Sequence, residues 1–378
     1  MELSIRSWVR YWGVNRGKRL TKAELSEDGQ YYVYHGSKDT PLGKYTQFNV
    51  KGNTTIVVNT GGIGGVKFCA DDFWCSDGSF WIGHSELLND KYVYYFLSPL
   101  EPYFASQKRV GGVPTIDRSV VENVEIPVPP LPVQEEIVRI LDNFTELQAE
   151  LQAELQKRLQ QYEYYRDKLL SFSDLSNWGG QEVSVEWKKL GEIATFTYGY
   201  TAKAEECGEV RYIRITDIND GGCLIPDNGK YISYTQDTEP YLLKKGDLVM
   251  ARTGATYGKT LYYNEDYLSA YASFLIKINL QDLVNPRFYW HFSKSNLYWE
   301  QARKLVGGGA QPQFNTGAIS QIVIPIPPLT EQQRIVEVLD RFDTLTNDIT
   351  AGLPAEIEAR RKQYEYYRDQ LLTFKQKA

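Results

Sequence analysis

The segment RTGATYGKT, from Arg252 to Thr260, is the part of the chain that most closely matches a nucleotide-binding loop. A phosphate-binding P-loop has four residues between its first glycine and the Gly-Lys-Thr, whereas Gly254 and Gly258 enclose only three. Losing one residue changes which backbone N–H groups face a phosphate, so we do not expect ATP or GTP to bind here. An enzyme that uses this loop stays an alternative, and binding of ATP by the isolated chain would favour it.

The other catalytic and metal-binding patterns are weaker still. The tetrapeptide NPRF, residues 285–288, resembles the Asn-Pro-Pro-aromatic loop of adenine methyltransferases, but its third position is arginine and no glycine-rich cofactor loop precedes it. We therefore expect Pro286 to start a short helix. The three histidines and four cysteines are scattered without metal-ligand spacing. No carboxylate cluster or Ser/His/Asp set can be assembled, so we expect neither a catalytic residue nor a metal site.

Two glycine-rich turns are candidate contacts to DNA. RTGATYGKT has a counterpart in the first half of the chain, NTGGIGGVK, which also follows a β-branched run. A glycine-rich turn with a lysine or arginine nearby lets the backbone approach a DNA phosphate closely. The alternative is a turn that only connects two strands. The residues we expect at DNA are Thr60, Gly61 and Lys67 in the first turn, and Arg252, Thr253, Gly254 and Lys259 in the second.

A second pair of loops, KRVGGVPT and VGGGAQPQFN, lies later in each half, and each is expected to follow an aromatic helix that carries Lys108 and Arg109, or Arg303 and Lys304. Asn and Gln side chains can pair with adenine, and Arg and Lys with guanine, so these are candidate base readers. A solvated loop at a domain boundary is the alternative. GKRLTK near the start aligns with GYTAKA from Gly199 and adds further basic residues. The candidates from these segments are Lys108, Arg109, Arg303, Lys304, Gln311, Gln313 and Asn315, together with Arg16, Lys18, Arg19 and Lys203.

The chain is written as a tandem of two units. The block IPVPPLPVQEEIVRILDNFTEL at 126–147 returns as IPIPPLTEQQRIVEVLDRFDTL at 324–345, and QYEYYRDKLLSF returns as QYEYYRDQLLTF. Repeats of this kind indicate duplicated architecture. The expected domains are globular parts at 1–125 and 176–323, and proline-rich segments leading into long helices at 126–175 and 324–378.

Each helical block carries apolar residues at spacings of three and four, so each exposes a stripe that another element must cover. The obvious partner is the helix of the other repeat. We expect an antiparallel pair, because a globular unit must connect the end of the first helix to the start of the second. In the second helix, Gly352 and Pro354 predict a break.

The repeated tyrosine string has two interpretations. Adjacent helix positions point about 100° apart, so Tyr164 and Tyr165 should cover different surfaces. Packing within the chain is one interpretation, and a surface for a partner subunit is the other. The residues assigned to an interhelix or partner interface are Tyr162, Tyr165, Leu169, Tyr364, Tyr367 and Leu371.

The globular units read as mixed α/β domains of the α+β class. TTIVV, GDLVMA and YASFLIKIN predict strands, and DKYVYYFL predicts a short helix. The net charge is −6, and residues 1–130 carry 14 basic and 14 acidic residues. An isolated DNA-binding protein usually shows a basic face. Either the lysine and arginine side chains cluster on one face of the folded domain, or partner subunits neutralise much of the DNA phosphate charge.

On these two repeated motifs, the chain resembles the specificity subunit of type I restriction–modification enzymes. The resemblance implies two target-recognition domains that read a bipartite double-stranded DNA target, with two long antiparallel helices in a pseudo-twofold arrangement as spacer. It also implies docking to two methyltransferase subunits and, through them, two restriction/translocase subunits. No cofactor is then expected on this chain, since S-adenosylmethionine, ATP and Mg would lie on the partners.

The chain departs from this family at its start. VEWKKLGEIATF, a familiar opening for these domains, precedes Gly199, whereas the first unit begins with MELSIRSWVRYW, so its first strand is expected to be altered or truncated. We expect a cytoplasmic protein without a membrane segment. A coiled-coil adaptor that presents two protein-binding domains stays the alternative. A stable complex with an adenine methyltransferase subunit, and site-specific methylation, are expected only from the specificity subunit.

Overall fold

The computed structural model describes residues 8–9, 13–109, 112–172, 184–219, 221–225, 228–306, 313–348 and 351–374. They form two compact units. Unit 1 comprises Met1–Glu150 and Ile357–Ala378, and unit 2 comprises Leu151–Glu356. Both divisions fall inside the helical blocks. Each unit therefore contains one globular domain, the start of the helix that follows it, and the end of the helix that belongs to the other repeat.

Unit 1 is built from nine short strands and three short helices, followed by the start of a long helix, α4 (Leu131–Ser171). The strands are β1 (Trp8–Val9), β2 (Val14–Arg16), β3 (Tyr31–Tyr34), β4 (Gly43–Tyr45), β5 (Thr54–Val58), β6 (Val66–Cys69), β7 (Trp74–Cys75), β8 (Ser79–Ile82) and β9 (Ile126–Pro127). The short helices are α1 (Asp90–Leu97), α2 (Glu101–Ser106) and α3 (Arg118–Glu122). These counts refer to the described residues.

The domain of unit 2 repeats this plan, and the helical block after it contains α9 (Leu329–Asn347) and α10 (Leu353–Leu372). The strands are β10 (Glu186–Lys189), β11 (Ala194–Tyr198), β12 (Val210–Ile213), β13 (Tyr231–Ile232), β14 (Leu248–Ala251), β15 (Thr260–Tyr262), β16 (Ser269–Tyr271), β17 (Leu275–Leu280) and β18 (Val323–Ile326). The short helices are α5 (Leu190–Ile193), α6 (Pro286–Phe292), α7 (Asn296–Leu305) and α8 (Thr316–Ile319).

The sheets of the two domains have the same topology. The four-stranded sheets run β2-β8-β5-β6 and β11-β17-β14-β15, and the three-stranded sheets run β4-β3-β7 and β13-β12-β16. In each three-stranded sheet the central strand has one antiparallel and one parallel neighbour. The predicted strands in TTIVV, GDLVMA and YASFLIKIN are confirmed, as are the short helices α1 and α6. The α+β duplicate expected from the sequence is the fold observed.

The first strand of each domain pairs with the strand that leads into the long helix. β1 pairs with β9 over two residues, and β10 pairs with β18 over four. Residues 1–7 and 10–12 lie outside the described residues, so the expected alteration of the first strand stays a prediction. Within the described part, the pairing that closes the domain is present in both units.

The second helical block is interrupted where the sequence predicts a break. α9 ends at Asn347 and α10 begins at Leu353, with Pro354 as its second residue. The Gly352 N–H donates to the Asp348 carbonyl at 3.0 Å. A Cβ at Gly352 would approach the Thr344 carbonyl oxygen at 2.4 Å, so the turn requires glycine. α4, in contrast, runs without interruption for 41 residues.

Aromatic stacking joins the early part of one helical block to the late part of the other block in both units. In unit 1 the ring of Phe144, near the start of α4, stacks on Tyr367 of α10 with centroids 5.5 Å apart. In unit 2 the ring of Phe342, near the end of α9, stacks on Tyr165 of α4 with centroids 5.7 Å apart. Both contacts pair the early part of one helical block with the late part of the other. The antiparallel arrangement is confirmed within each unit.

The helix ends also complete the two hydrophobic cores. Tyr162 and Leu170 of α4 are buried in the core of unit 2, and Leu372 of α10 is buried in the core of unit 1. Burying a large apolar side chain contributes roughly 1.5–3 kcal/mol. Tyr164 is 59% exposed and Tyr366 is 62% exposed. The adjacent tyrosines of each string therefore do cover different surfaces.

The repeated proline-rich motif has a structural reason in its glutamine. Gln332, fully buried, accepts the Asn285 N–H at 2.8 Å and donates to the carbonyls of Leu283 and Pro327, both at 2.9 Å. Gln134 makes the equivalent three bonds in unit 1. Each glutamine ties the start of its helix to the loop before α1 or α6. Because unpaired backbone groups are costly in a core, an apolar residue of similar size would not replace it.

The repeated Leu-Asp pair has a similar role, but its partners differ between the units. In unit 1, Asp142 accepts hydrogen bonds from Lys91 and Tyr95 of α1. In unit 2, Asp340 lies 2.7 Å from both Arg287 Nε and His291 Nε2. His291 occupies the place of Tyr95, so this position carries an imidazole in unit 2 and a phenol in unit 1.

His291 is held neutral between two partners. Its Nε2–H donates to Asp340, and its Nδ1 accepts the Tyr162 hydroxyl at 3.2 Å. Burial lowers the pKa of His291 from 6.5 to about 4, and the charges of Lys294 and Arg287 act in the same direction. Burial would raise the pKa of Asp340, but the hydrogen bond from His291 and the charge of Arg287 leave it lowered. The tyrosine string is thus tied to a pH-dependent group.

We expect the stability of unit 2 to fall as the pH drops from about 6.5 to about 4. In this window the unfolded chain binds a proton at His291 that the folded unit excludes, which lowers the free energy of unfolding by up to about 3 kcal/mol. Protonation of Asp340 at still lower pH removes stability in the same direction. His291→Gln should flatten this slope, measured by hydrogen exchange of α6 corrected for the intrinsic rate.

The control is His84→Gln, which lies in unit 1 and should leave the slope of α6 as in the parent chain. A slope that His291→Gln does not change would contradict the assignment.

Candidate nucleic-acid interface

The two loops singled out in each half of the sequence lie side by side in the fold. In unit 1, Thr60 forms an antiparallel bridge with Thr115. In unit 2, Thr253 forms the same bridge with Gln313, and the Phe314 N–H donates to the Arg252 carbonyl at 2.8 Å. We call this pair of joined loops, together with the strand ends that border it, the loop edge of each unit; it comprises residues 16, 59–61, 78 and 115–117 in unit 1 and residues 198, 252–254, 274 and 313–315 in unit 2.

The loop edge of unit 1 borders a cleft of about 460 Å³ lined by Arg16, Asn59 and Asp77. Arg16 is exposed, and its Nε donates to the Asp77 carbonyl at 3.4 Å. Arg109 forms an ion pair with Asp117. Arg109 thus lies beside a carboxylate, whereas Arg16 reaches only a backbone carbonyl.

Gly61 and Gly254 occupy the same place in the two loop edges, and both have positive φ angles, 79° and 72°. A Cβ at Gly61 would approach the Gly36 carbonyl oxygen at 2.6 Å, so glycine is needed for close packing of two turns. Among the described residues, none beyond its two chain neighbours has an atom within 4 Å of the corresponding position at Gly254. The described part of unit 2 therefore packs less closely around this glycine than unit 1 does around Gly61.

Several candidates from unit 1 lie away from the loop edge. Lys67 lies within β6, half-buried, with its Nζ 5.3 Å from the centre of the Tyr34 ring. Lys18 and Arg19 follow β2 and are exposed. The expectation that Lys108 and Arg109 lie on an aromatic helix is wrong, because α2 ends at Ser106. Arg109 nonetheless reaches the edge through its backbone bridge to Thr115.

In unit 2 the guanidinium of Arg252 is fixed by its neighbours. Its Nε donates to the Ser273 carbonyl at 3.1 Å, and its Cζ lies 5.2 Å from the centre of the Tyr198 ring and 5.5 Å from that of Phe274. Tyr198 is 42% exposed and Phe274 is 52% exposed. An arginine between two exposed rings can stack and donate hydrogen bonds at the same time.

The other candidates of unit 2 are more scattered. Gln313 is exposed at the loop edge, and Asn315 caps α8 by accepting the Ala318 N–H at 2.9 Å. The cap occupies the amide oxygen of Asn315 and leaves its NH₂ group to donate. Lys203 is exposed after β11, Arg303 and Lys304 are exposed in the last turn of α7, and Lys259 is half-buried. Gln311 lies outside the described residues.

RTGATYGKT forms a hairpin connection. It joins β14 to β15, which pair antiparallel, and the Gly258 N–H donates to the Ala251 carbonyl at 2.8 Å. A P-loop instead leads from a strand into a helix whose N-terminus receives the phosphate. Over the part of the chain that the structure describes, no cluster of three or more His, Cys, Asp or Glu side chains could hold a metal ion. No described helix is long and apolar enough to cross a membrane.

Tyr198 and Phe274 are edge residues that the sequence did not single out. They lie 76 positions apart and meet Arg252 because β11 and β14 both pair with β17. The alignment of Gly199 with the GKRLTK segment pointed to the end of β11, but it selected basic residues instead of the tyrosine before them. Identifying Tyr198 and Phe274 from the sequence would have required the pairing register of β11, β14 and β17.

Comparison with known proteins places this duplicated frame in one family. The chain matches the type I restriction modification DNA specificity domain over residues 12–161 and 182–359. A Haemophilus influenzae protein described as a candidate type I restriction enzyme specificity subunit is 31% identical, covering 96% of this chain and 92% of its own length. The Escherichia coli EcoR124I/EcoR124II specificity subunit is 38% identical over 306 residues, covering 75% and 70%.

The fold has a counterpart among solved structures. The specificity subunit of a type I restriction–modification system from M. genitalium superimposes with a TM-score of 0.63 and covers 96% of this chain and 94% of its own length, at 18% identity. The family match spans both repeats, and the similar structure has the same fold over nearly the full length. The chain therefore belongs to the DNA-binding specificity subunits of type I restriction–modification systems.

Proposed function

We propose that the protein reads a bipartite DNA target, with one half-site bound by the loop edge of each unit. The observation that carries this proposal is the repetition of the loop edge on sheets of the same topology, with different side chains in the two copies. A shared frame gives both domains the same way of approaching a duplex. Different side chains on that frame give each its own half-site.

The second part of the proposal is a division of labour with partner subunits. The chain docks two methyltransferase subunits and, through them, two restriction/translocase subunits. It transfers no methyl group and cuts no DNA itself. S-adenosylmethionine, ATP and Mg are bound by the partner subunits. The balance of 14 basic and 14 acidic residues in 1–130 supports weak DNA binding by this chain alone, because the phosphate contacts that drive affinity would come largely from the partners.

The exposed tyrosines are candidates for partner contacts. Tyr164 and Tyr366 occupy equivalent positions in the two strings and are more than half exposed. Tyr162, Tyr165, Tyr364 and Tyr367 lie against the helix of the other repeat. One side of each tyrosine string then packs against the other helix within its unit, and the exposed side is available to contact a methyltransferase subunit.

Exchange of residues 1–125 for the corresponding segment of a relative should change one half-site and leave the other unchanged. The reason is that, among the described residues, the core of unit 1 is formed by the first domain and the helical blocks without side chains of the second domain. The exchanged chain is co-expressed with the methyltransferase subunit, and methylated sites are mapped across the host genome. The parent chain is the control.

A change in both half-sites would contradict independent reading by the two units. No methylation by the parent complex would contradict the DNA-reading role and favour an adaptor that binds only proteins.

Deletion of Leu151 to Glu154, one of the two LQAE copies, should shift the gap between the half-sites. The segment lies inside α4, at the division between the units. Four residues nearly complete a helical turn, so the apolar stripe stays in phase while the helix shortens by about 6 Å. With base pairs spaced at about 3.4 Å, the gap should shrink by one or two base pairs. Methylation mapping with the partner subunit measures it.

Deletion of two residues is the matched control. It turns the stripe by about 200° and should abolish methylation instead of resetting the gap. A four-residue deletion that leaves the gap unchanged would show that the helices do not set the spacing.

A further inference from the structure

The two loop edges differ at three equivalent positions, which lie at the same end of three neighbouring strands of the four-stranded sheet. The first is the last residue of β2 or β11. The second is the first residue after β5 or β14, and the third is the residue just before β8 or β17. In unit 1 these positions hold Arg16, Asn59 and Gly78, and in unit 2 they hold Tyr198, Arg252 and Phe274.

The substitutions change the shape of the edge. A Cβ at Gly78 would approach His35 Nδ1 at 2.7 Å, so unit 1 has no room for a side chain there and the cleft beside Asn59 stays open. In unit 2 the same position carries Phe274, with half of its surface exposed. Unit 1 therefore presents a concave edge and unit 2 a projecting aromatic one.

The projecting residues are held ready for a ligand. Arg252 is fixed between the rings of Tyr198 and Phe274 and by the Ser273 carbonyl, so little rotational freedom remains to be lost on binding. Among the residues that the structure describes, no carboxylate forms an ion pair with Arg252. The Tyr198 hydroxyl lies 3.3 Å from the Thr316 Oγ1, which orients its ring. An exposed ring beside an unneutralised guanidinium suits an anionic partner with flat surfaces.

We propose that Tyr198, Arg252 and Phe274 form an aromatic–cation platform for double-stranded DNA, on which Phe274 partly unstacks a base step while Arg252 donates hydrogen bonds to the neighbouring base. The proposal rests on the DNA-reading role proposed above and adds a mode of readout to it. Apolar wedges of this kind kink DNA most readily at flexible pyrimidine–purine steps. The half-site of unit 2 should contain such a step, and unit 1 should read its half-site without a wedge.

The test uses the complex of the full chain with its methyltransferase subunit. Sites methylated by the parent complex are mapped first, and a duplex carrying one such site serves as the probe. Phe274→Ala should weaken binding of this duplex about tenfold, the scale of one lost base–aromatic contact. Arg252→Lys keeps the charge but loses the flat guanidinium, and should weaken binding similarly. Both side chains are partly exposed, so neither change threatens the core.

Tyr234→Ala is the matched control, because Tyr234 is a 46% exposed aromatic of the same unit outside the loop edge. It should bind the duplex as the parent does. Replacing the purine of the predicted step by 2-aminopurine adds a direct readout. Its fluorescence should rise on binding the parent complex and stay low with Phe274→Ala.

The outcomes separate the two proposals. If the parent complex binds and methylates its site, but Phe274→Ala does so equally well, the platform is wrong and the DNA-reading role stands. If Phe274→Ala instead releases the methyltransferase subunit, the surface contacts protein and the platform is also wrong. If the parent complex methylates no specific site, the DNA-reading role itself fails.

Discussion

The stacking of a phenylalanine near one helix end on the tyrosine string of the other repeat is the contact on which the rest of the structure depends. A single long helix with an apolar stripe is unstable in water until another element covers that stripe. Phe144 meets Tyr364 and Tyr367 in unit 1, and Phe342 meets Tyr162 and Tyr165 in unit 2. Each unit is therefore completed by residues from the other repeat, which is why the same helix end is written twice.

A short chain of polar contacts transmits this packing to the loop edge. The buried glutamine and the aspartate of each proline-rich motif fix α1 or α6, and these helices pack beneath the four-stranded sheet that carries the edge. The partners vary while the arrangement is kept. Lys91 lies 5.7 Å from the Phe68 ring in unit 1, and Arg287 lies 5.1 Å from the Tyr262 ring in unit 2. Replacing one basic residue by another at these positions keeps the packing of α1 and α6 on their sheets, while the side chains of the two loop edges differ.

The sequence predicts the frame far better than it predicts the edge. The repeats, the antiparallel helices, the break at Gly352 and the principal strands all follow from periodicity and from proline and glycine chemistry, which act over a few residues. The edge depends on strand register, which brings Tyr198 and Phe274 to Arg252 across long stretches of chain. Nearness to a glycine turn makes Lys67 a candidate in the sequence, yet it lies within β6. Residue type alone does not reveal which side chains meet.

The central claim is that the last helix segment belongs structurally to the first domain. Hydrogen exchange of the full chain, compared with a chain that ends at Glu356, tests it most directly. Removing 357–378 takes Leu372, Tyr364 and Tyr367 from unit 1 and nothing from unit 2. The account predicts lost protection in α1 and in residues 131–150, with α6 and α9 protected as before. Loss of protection in α6 and α9, or full protection in α1, would contradict it.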